Sequence, residues 1–154
     1  MKFRGQYDFL SNFYMVMVKD YPSVENAFQA GKCSDIKDRE AFKRCTPAQA
    51  KRMGRQVKCI PDWNTKRIYV MYKALQLKFQ DPVLSQRLMA IPDEGDQKLI
   101  EENTWHDNFW GVCTCGTDRC HGANWENWLG NLLTAVRCEH LGIMHKYSFD
   151  PPTQ

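Results

Sequence analysis

The sequence predicts a mainly α fold, a compact single domain of about six helices with a small β element. Apolar residues recur at helical spacing in several segments, and Pro, Gly or Asp residues separate these segments. Stretches with the alternation of a strand are few and short. The 154 residues contain no repeat or linker and have the length of one domain. We therefore expect one domain over residues 1–154, with about residues 146–154 as a loosely held tail.

The first elements are two short strands and a helix. Aromatic residues mixed with Gly, Ser and Asn favour a strand and a tight turn in residues 3–14, and residues 15–18 alternate weakly. Ser23 is a suitable N-cap for the next helix. That helix has an apolar stripe at Val24, Ala27, Phe28 and Gly31 and a polar stripe at Glu25, Gln29 and Lys32. A polar stripe usually faces solvent, but here a carboxylate lies in the first turn, where the helix dipole favours its ionised form.

Capping residues and periodicity predict the remaining elements. Asp35 caps a short helix, and Thr46 with Pro47 begins another. The longest helical period covers residues 66–80 and predicts the central core helix. Three more elements are predicted: a helix over residues 83–90, a brief strand at residues 98–101, and a last helix over about residues 125–141 that ends at Gly142.

Composition and charge limit the classes of function. No apolar run is long enough to span a membrane, and the first residues do not resemble a signal peptide, so we expect a cytoplasmic protein without a membrane partner. An odd number of cysteines, seven, favours reduced thiols over disulfides. Residues 32–78 contain thirteen Lys or Arg against four Asp or Glu, whereas residues 79–154 contain five against eleven. The first region is suited to bind phosphate and the second to supply acid–base groups, although two solvated faces of opposite charge would produce the same pattern.

Two segments of the second half carry groups that could do chemistry. The tryptophan segment, WHDNFWG at residues 105–111, sets Asp107 between aromatic rings and beside an imidazole. It could stack a flat ring and handle a charge, or it could be a turn packed on the core. The thiol loop follows at residues 113–121, where Cys113, Cys115, Cys120 and His121 have a spacing close to that of zinc ligands. A thiol-bearing loop without metal is the simpler interpretation.

The chain resembles the NADAR family of YbiA-like N-glycosidases. Six pieces carry the resemblance: FRGQYDFLSNFY (3–14), YPSVENAFQAGK (21–32), TPAQAKRMGR (46–55), the segment from DW to LKF (62–79), LIEEN with the following D and WG (99–111), and NWLGNLLTAVR (127–137). The resemblance implies a compact, mainly α domain with a small β element. It also implies hydrolysis of the N-glycosidic bond of a riboflavin-pathway intermediate, a phosphorylated ribosyl-base or ribosylamine, or of ADP-ribosyl-guanine in nucleic acid. Two departures are Asn26, where a histidine is common, and the thiol loop.

Carried over residue by residue, the resemblance implies important positions at Glu25, Trp63, Asp107 and Trp110. We assign Glu25 and Asp107 as the two carboxylates, by analogy with O-glycosidases: one activates water and stabilises the cationic sugar, preferably Glu25, and the other assists the leaving group. Trp63 and Trp110 would stack on the base or sugar. Phosphate or ribose would be bound by residues of the opening motif and the basic region, namely Arg4, Gly5, Asn12, Phe13, Lys32, Lys51 and Arg55.

This scheme requires no metal and no organic cofactor, and we expect a monomer. Two other functions fit the same residues. A module that binds ADP-ribose or another nucleotide without cleaving it would need the tryptophans and cations but not both carboxylates. A zinc-bearing nucleic-acid binder would use Cys113, Cys115, Cys120 and His121.

Overall fold

The computed structural model describes residues 2–92, 99–120, 123–144 and 149. These residues contain one 3-10 helix, six α-helices and one two-stranded sheet, which confirms the prediction of a mainly α fold with a small β element. In chain order the elements are the 3-10 helix (Gly5–Leu10), α1 (Val24–Lys32), α2 (Ile36–Ala41), α3 (Pro47–Met53), α4 (Trp63–Lys78), α5 (Pro82–Met89), β1 (Glu102–Asn103), β2 (Val112–Cys113) and α6 (Trp128–Leu141).

The chain folds as two compact units. One comprises residues 1–11 and 85–147, and the other comprises residues 12–84 and 148–154. The expectation of a single domain stays a prediction. Of the predicted tail, only Phe149 is among the described residues, and its ring lies 4.8 Å from that of Tyr72. Among the residues that the structure describes, every helix is too short or too polar to cross a bilayer.

Helix α1 is the centre of the unit formed by residues 12–84, where it packs against α2, α3 and α4. Its start agrees with the prediction, since the Ser23 hydroxyl accepts the backbone N–H of Asn26 at 3.2 Å. It approaches α4 closely: a Cβ added to Gly31 would lie 2.7 Å from Cγ1 of Val70. Residues that project from α1 toward the other helices are therefore held in a fixed position.

Asn26 connects α1 to the end of α2. Its side chain is fully buried, and its amide group donates hydrogen bonds of 2.8 Å to the backbone carbonyls of Phe42 and Cys45. Two such bonds satisfy the amide nitrogen in the interior. Asn26, which stands where a histidine is common in the family, therefore has a structural role in this chain.

The predicted starts of the later helices are also present. Thr46 and Gln49 form a capping box at the start of α3, with Pro47 in the first turn, and Asp81 accepts backbone N–H groups at the start of α5. Helix α4 begins three residues before the predicted period and buries its apolar stripe, including Met71 and Leu75, as a core helix does.

The predicted opening strand is wrong, because Gly5–Leu10 forms a 3-10 helix. Phe9 and Leu10 are adjacent and both buried, with 2% and 0% of their surface exposed. A strand points successive side chains to opposite faces, so it would bury both only if both of its faces were covered. The guanidinium of Arg87 covers the ring of Phe9 at 4.0 Å and lies 3.6 Å from the Asp8 carboxylate.

The β element is smaller and later in the chain than predicted. Residues 15–18 contribute only an isolated bridge between Val18 and Tyr21. The strand predicted at residues 98–101 begins later, at Glu102, and pairs in parallel with β2. Residue 98 itself lies outside the described residues.

Candidate active site

Glu25 is a buried carboxylate in the first turn of α1. Only 7% of its surface is exposed, and its Oε1 accepts a hydrogen bond of 3.0 Å from Nε2 of Gln29, one turn later. The backbone N–H of Glu25 donates to the carbonyl of Asn12 at 3.0 Å. The polar stripe of α1 therefore faces the interior, and its carboxylate is oriented by a neighbouring amide.

Two residues that hydrogen-bond to Glu25 each have a buried side-chain oxygen that lacks a donor among the described residues. These oxygens are Oδ1 of Asn12 and Oε1 of Gln29. A buried acceptor without a donor costs about 1 to 3 kcal/mol, so native proteins rarely keep one without a reason. A ligand with hydroxyl groups would supply the missing donors. Asn12 was predicted as a site residue, whereas Gln29 was seen only as part of the polar stripe.

Gly54 holds Gln29 in place from the end of α3. A Cβ at this position would lie 1.9 Å from Oε1 of Gln29, so only glycine leaves room for the amide. The carbonyl of Gly54 also accepts a hydrogen bond from the ammonium of Lys32. Glu25, Gln29 and Lys32 thus follow one another along α1, and Gly54 at the end of α3 contacts the last two of them.

The predicted phosphate ligands divide between the two units. Lys32 lies in α1, Lys51 in α3, and the exposed Arg55 just after α3. The ammonium of Lys51 is 5.8 Å from the centre of the Phe13 ring, which is itself 40% exposed. Arg4 and Gly5 are exposed residues of the other unit, at the start of the 3-10 helix.

Two further groups in residues 12–84 contribute an aromatic ring and a charge. Trp63 is the first residue of α4, half-buried, and its ring is 5.1 Å from that of Phe28 at an angle of 51°. Lys78 is fully buried, with its ammonium 5.5 Å from the centre of the Tyr14 ring. Lys78 was not among the predicted site residues, since the helix dipole favours a lysine in the last turn of a helix whatever its burial.

A separate groove of about 200 Å³ lies between α1 and α4, and its lining includes Ala27, Gly31, Val70 and Leu77. None of the predicted site residues lines it. Its walls are mainly apolar, so it lacks the groups that an N-glycosidase would need.

Asp107 fixes the shape of the tryptophan segment. Its Oδ1 accepts the backbone N–H groups of Phe109 at 3.0 Å and Trp110 at 2.8 Å. The side chain of Asn103 both donates to the carbonyl of Asp107 and accepts its N–H. The ring of Trp110 packs edge-to-face on Phe109 at 4.9 Å. The half-buried Asp107 therefore fixes the backbone of this turn.

The start of α6 holds the same segment from the other side. The N–H groups of Trp128 and Leu129 donate to the carbonyls of Phe109 and Trp110 at 3.0 and 2.9 Å. The first N–H groups of a helix have no partner within it, so this arrangement satisfies both elements. Asn127 completes the connection by binding the carbonyl of Leu99 and the N–H of Glu101.

Glu25 and Trp63 belong to one unit, whereas Asp107 and Trp110 belong to the other. The prediction that the two carboxylates act in one cleft stays a prediction.

The thiol loop differs from its predicted ligand set. Cys113, Cys115 and Cys120 do lie together, but the imidazole beside them is that of His106. His121 lies outside the described residues. Sequence spacing alone pointed to the adjacent histidine, whereas His106 reaches the thiols from the tryptophan segment.

The mainly α fold combines a buried, oriented carboxylate on α1 with lysines on α1 and α3. The chain matches the NADAR domain model over residues 2–141 and belongs to the NADAR family.

Relatives and a solved structure agree with this membership. The chain is 36% identical over 129 residues to the N-glycosidase YbiA of Escherichia coli (strain K12), covering 81% of this chain and 73% of that protein. It is 32% identical over 138 residues to the chloroplastic riboflavin biosynthesis protein PYRR of Zea mays, covering 80% of this chain but only 20% of that protein. The NMR structure of the E. coli protein YbiA matches with a TM-score of 0.72 at 31% identity, over 96% of this chain and 90% of that one.

Proposed function

We propose that the protein hydrolyses the N-glycosidic bond of a phosphorylated ribosyl-base or ribosylamine, of the kind that occurs early in riboflavin synthesis. The observation that carries this proposal is the buried carboxylate of Glu25, which the side-chain amide of Gln29 orients through a hydrogen bond. The names of the relatives support it, because one is called an N-glycosidase and another a riboflavin biosynthesis protein.

Cleavage of an N-glycoside passes through a ribosyl cation with positive charge on the sugar ring. A carboxylate near that ring stabilises the charge and removes a proton from the attacking water. Glu25 takes this role because its position is fixed by the hydrogen bond from Gln29. A hydroxyl group of the ribose would donate to Oδ1 of Asn12, which has no donor among the described residues.

Asp107 takes the second role and orients or protonates the leaving group, directly or through water. Its Oδ1 is engaged by backbone N–H groups of the tryptophan segment. Within the described part of the chain Oδ2 accepts no hydrogen bond, so Oδ2 is the atom that would meet the leaving group.

The cations and tryptophans would bind the rest of the substrate. Lys32, Lys51 and Arg55 would bind the phosphate oxygens, since charge-assisted bonds to phosphate are strong. Arg4 would add a fourth cation, and Gly5 and Phe13 further contacts. Trp63 and Trp110 would stack on the base or the sugar, a contact worth about 1 to 3 kcal/mol per base.

The test incubates the full chain with a riboflavin-pathway ribosylamine phosphate and measures release of the amine. Glu25→Gln keeps the shape of the side chain but removes its basicity, so we expect kcat to fall by about 100-fold or more while ligand affinity persists. Glu40→Gln is the matched control, since Glu40 is an exposed carboxylate on α2 that contacts Lys43. Its activity should equal that of the unaltered protein.

Other outcomes would change the assignment. Release from ADP-ribosylated guanosine in DNA, but not from the ribosylamine phosphate, would move the substrate to ADP-ribosyl-guanine in nucleic acid. Tight binding of ADP-ribose without release from any substrate would favour the non-catalytic module. Unchanged kcat in Glu25→Gln would contradict the role of Glu25.

A further inference from the structure

Four groups that can bind a metal converge in the unit that contains the tryptophan segment. They are Nδ1 of His106 and the sulfur atoms of Cys113, Cys115 and Cys120, and all four atoms lie within 4.8 Å of one another. His106 Nδ1 is 3.3 Å from Sγ of Cys120 and 3.5 Å from Sγ of Cys115. In a tetrahedral zinc site with bonds of about 2.1 to 2.3 Å, neighbouring ligand atoms are about 3.6 to 3.8 Å apart. The cluster therefore has nearly the size of a zinc site.

Burial does not explain why three thiols gather here. The three cysteines are half-buried and His106 is exposed. Residues 114–120 and 123–127, which separate β2 from α6, contain no helix or strand. Irregular segments in compact domains need contacts other than regular backbone pairing to hold them. A metal ion bound by four side chains would do so.

The backbone is arranged to present these ligands. Cys113 ends β2, where its N–H donates to the side chain of Asn108 at 2.9 Å. Gly116 has φ +74, which lets the chain turn back after Cys115. The hydroxyl of Thr117 is 3.1 Å from the Cys115 sulfur, the kind of outer contact that supports a metal-bound thiolate.

His106 reaches the cluster through a rare backbone conformation. Its φ of 68° is one that residues other than glycine seldom adopt. Such a conformation persists when surrounding contacts determine it. On the C-terminal side, the hydrogen bonds of Asp107 fix the turn that follows. On the imidazole side, ligation of a metal would be the corresponding constraint.

We propose that His106, Cys113, Cys115 and Cys120 bind one structural Zn²⁺ ion. Three thiolates and one imidazole form a recognised structural ligand set for zinc, and four protein ligands leave no position open for catalysis. The ion joins the tryptophan segment to the thiol loop and thereby helps to orient Asp107. This inference is independent of the proposed reaction, because the cluster would bind zinc whether or not the protein is a hydrolase.

The first experiment measures metal in the full-length, untagged protein, purified without chelator from medium supplemented with zinc. Elemental analysis should find about one zinc per chain, as for a closed four-ligand site. Cys115→Ser should lose this zinc, whereas Cys59→Ser should retain it, because Cys59 is an exposed cysteine outside the cluster. Equal zinc in both variants, or stoichiometric iron instead of zinc, would overturn the assignment.

A second measurement does not depend on whether a variant folds. The unaltered protein is stripped of metal under reducing conditions and titrated with Co²⁺, which absorbs strongly when thiolates bind it in a tetrahedral site. We expect the charge-transfer and d–d bands of such a site to saturate at about one equivalent and to disappear when zinc is added. Failure to bind either metal, or a disulfide among the three cysteines, would refute the proposal.

Discussion

Gly54→Ala would displace the amide that orients the buried carboxylate. The added Cβ would lie 1.9 Å from Oε1 of Gln29, whereas ordinary contact begins at 3.4 Å, so the amide must move by about 1.5 Å. The hydrogen bond to Glu25 is 3.0 Å long and would break after such a shift. A hydrogen bond to a charged group contributes about 1.5 to 3 kcal/mol, which corresponds to a fall in kcat of about 10- to 100-fold.

The assay follows amine release from the ribosylamine phosphate, with the free energy of unfolding measured in parallel. Backbone strain is absent from this substitution, because Gly54 has φ −61, which alanine adopts easily. Gly31→Ala is the matched control: its Cβ would meet Val70 on α4 and leave Gln29 untouched. It should lower stability but change kcat much less.

A double-mutant cycle with Gln29→Ala tests whether the effect passes through the amide. In the Gln29→Ala background the clash is absent, so adding Gly54→Ala should produce little further loss of kcat. Additive losses would refute the reasoning, since they would mean that Gly54 acts by another route. The same conclusion would follow if Gly54→Ala alone left kcat unchanged.

Three further predictions test separate parts of the structure. Asn127 has φ 50 and makes two side-chain hydrogen bonds to residues 99–101. Asn127→Gly should lose about 1 to 3 kcal/mol of stability in urea denaturation because those bonds are lost, and Asn127→Ala should lose about 1 kcal/mol more because alanine is strained at positive φ. Equal losses in the two variants would contradict the contribution of backbone strain. Lys51→Ala should raise KM about tenfold, which corresponds to the loss of one charge-assisted hydrogen bond. Arg52 is exposed on the same helix, and Arg52→Ala should leave KM unchanged. Equal effects of the two substitutions would contradict a phosphate contact of Lys51. Burial raises the pKa of the Cys33 thiol from 9.0 to about 11. Between these pH values the folded protein keeps a proton that the unfolded chain releases, so the free energy of unfolding should fall as the pH rises. Cys33→Ala should flatten this part of the plot of stability against pH, and an unchanged slope would refute the assignment.

The helices could be predicted because their signals are local. Ser23 caps α1, and Thr46 with Pro47 begins α3, and each signal lies within a few residues of the helix that it starts. The apolar stripe of α6 and its stop at Gly142 are equally local. Burial of Glu25 was harder to predict, because the polar stripe of α1 has the same appearance whether it faces solvent or other helices.

The missed features depend on partners that are distant in the sequence. The sequence of residues 5–10 resembles that of a strand. The contact that covers Phe9 comes from Arg87, nearly eighty positions later. His106 reaches the thiol loop across the β1–β2 pairing, which spacing along the chain does not reveal. Gln29 matters because Gly54 leaves space for it, and that space exists only when α1 and α3 pack together.

The tryptophan segment, residues 105–111, contains no helix or strand, yet both main-chain polar groups of Phe109 and Trp110 are hydrogen-bonded. The amides of Phe109 and Trp110 donate to a carboxylate, and the carbonyls of the same two residues receive the first amides of α6. Deuterium should therefore enter these amides about as slowly as it enters α6, and the two should open together as one cooperative unit. A peptide inserted between residues 107 and 110 would break that unit, so unlike most surface connections this one should not tolerate a change in length.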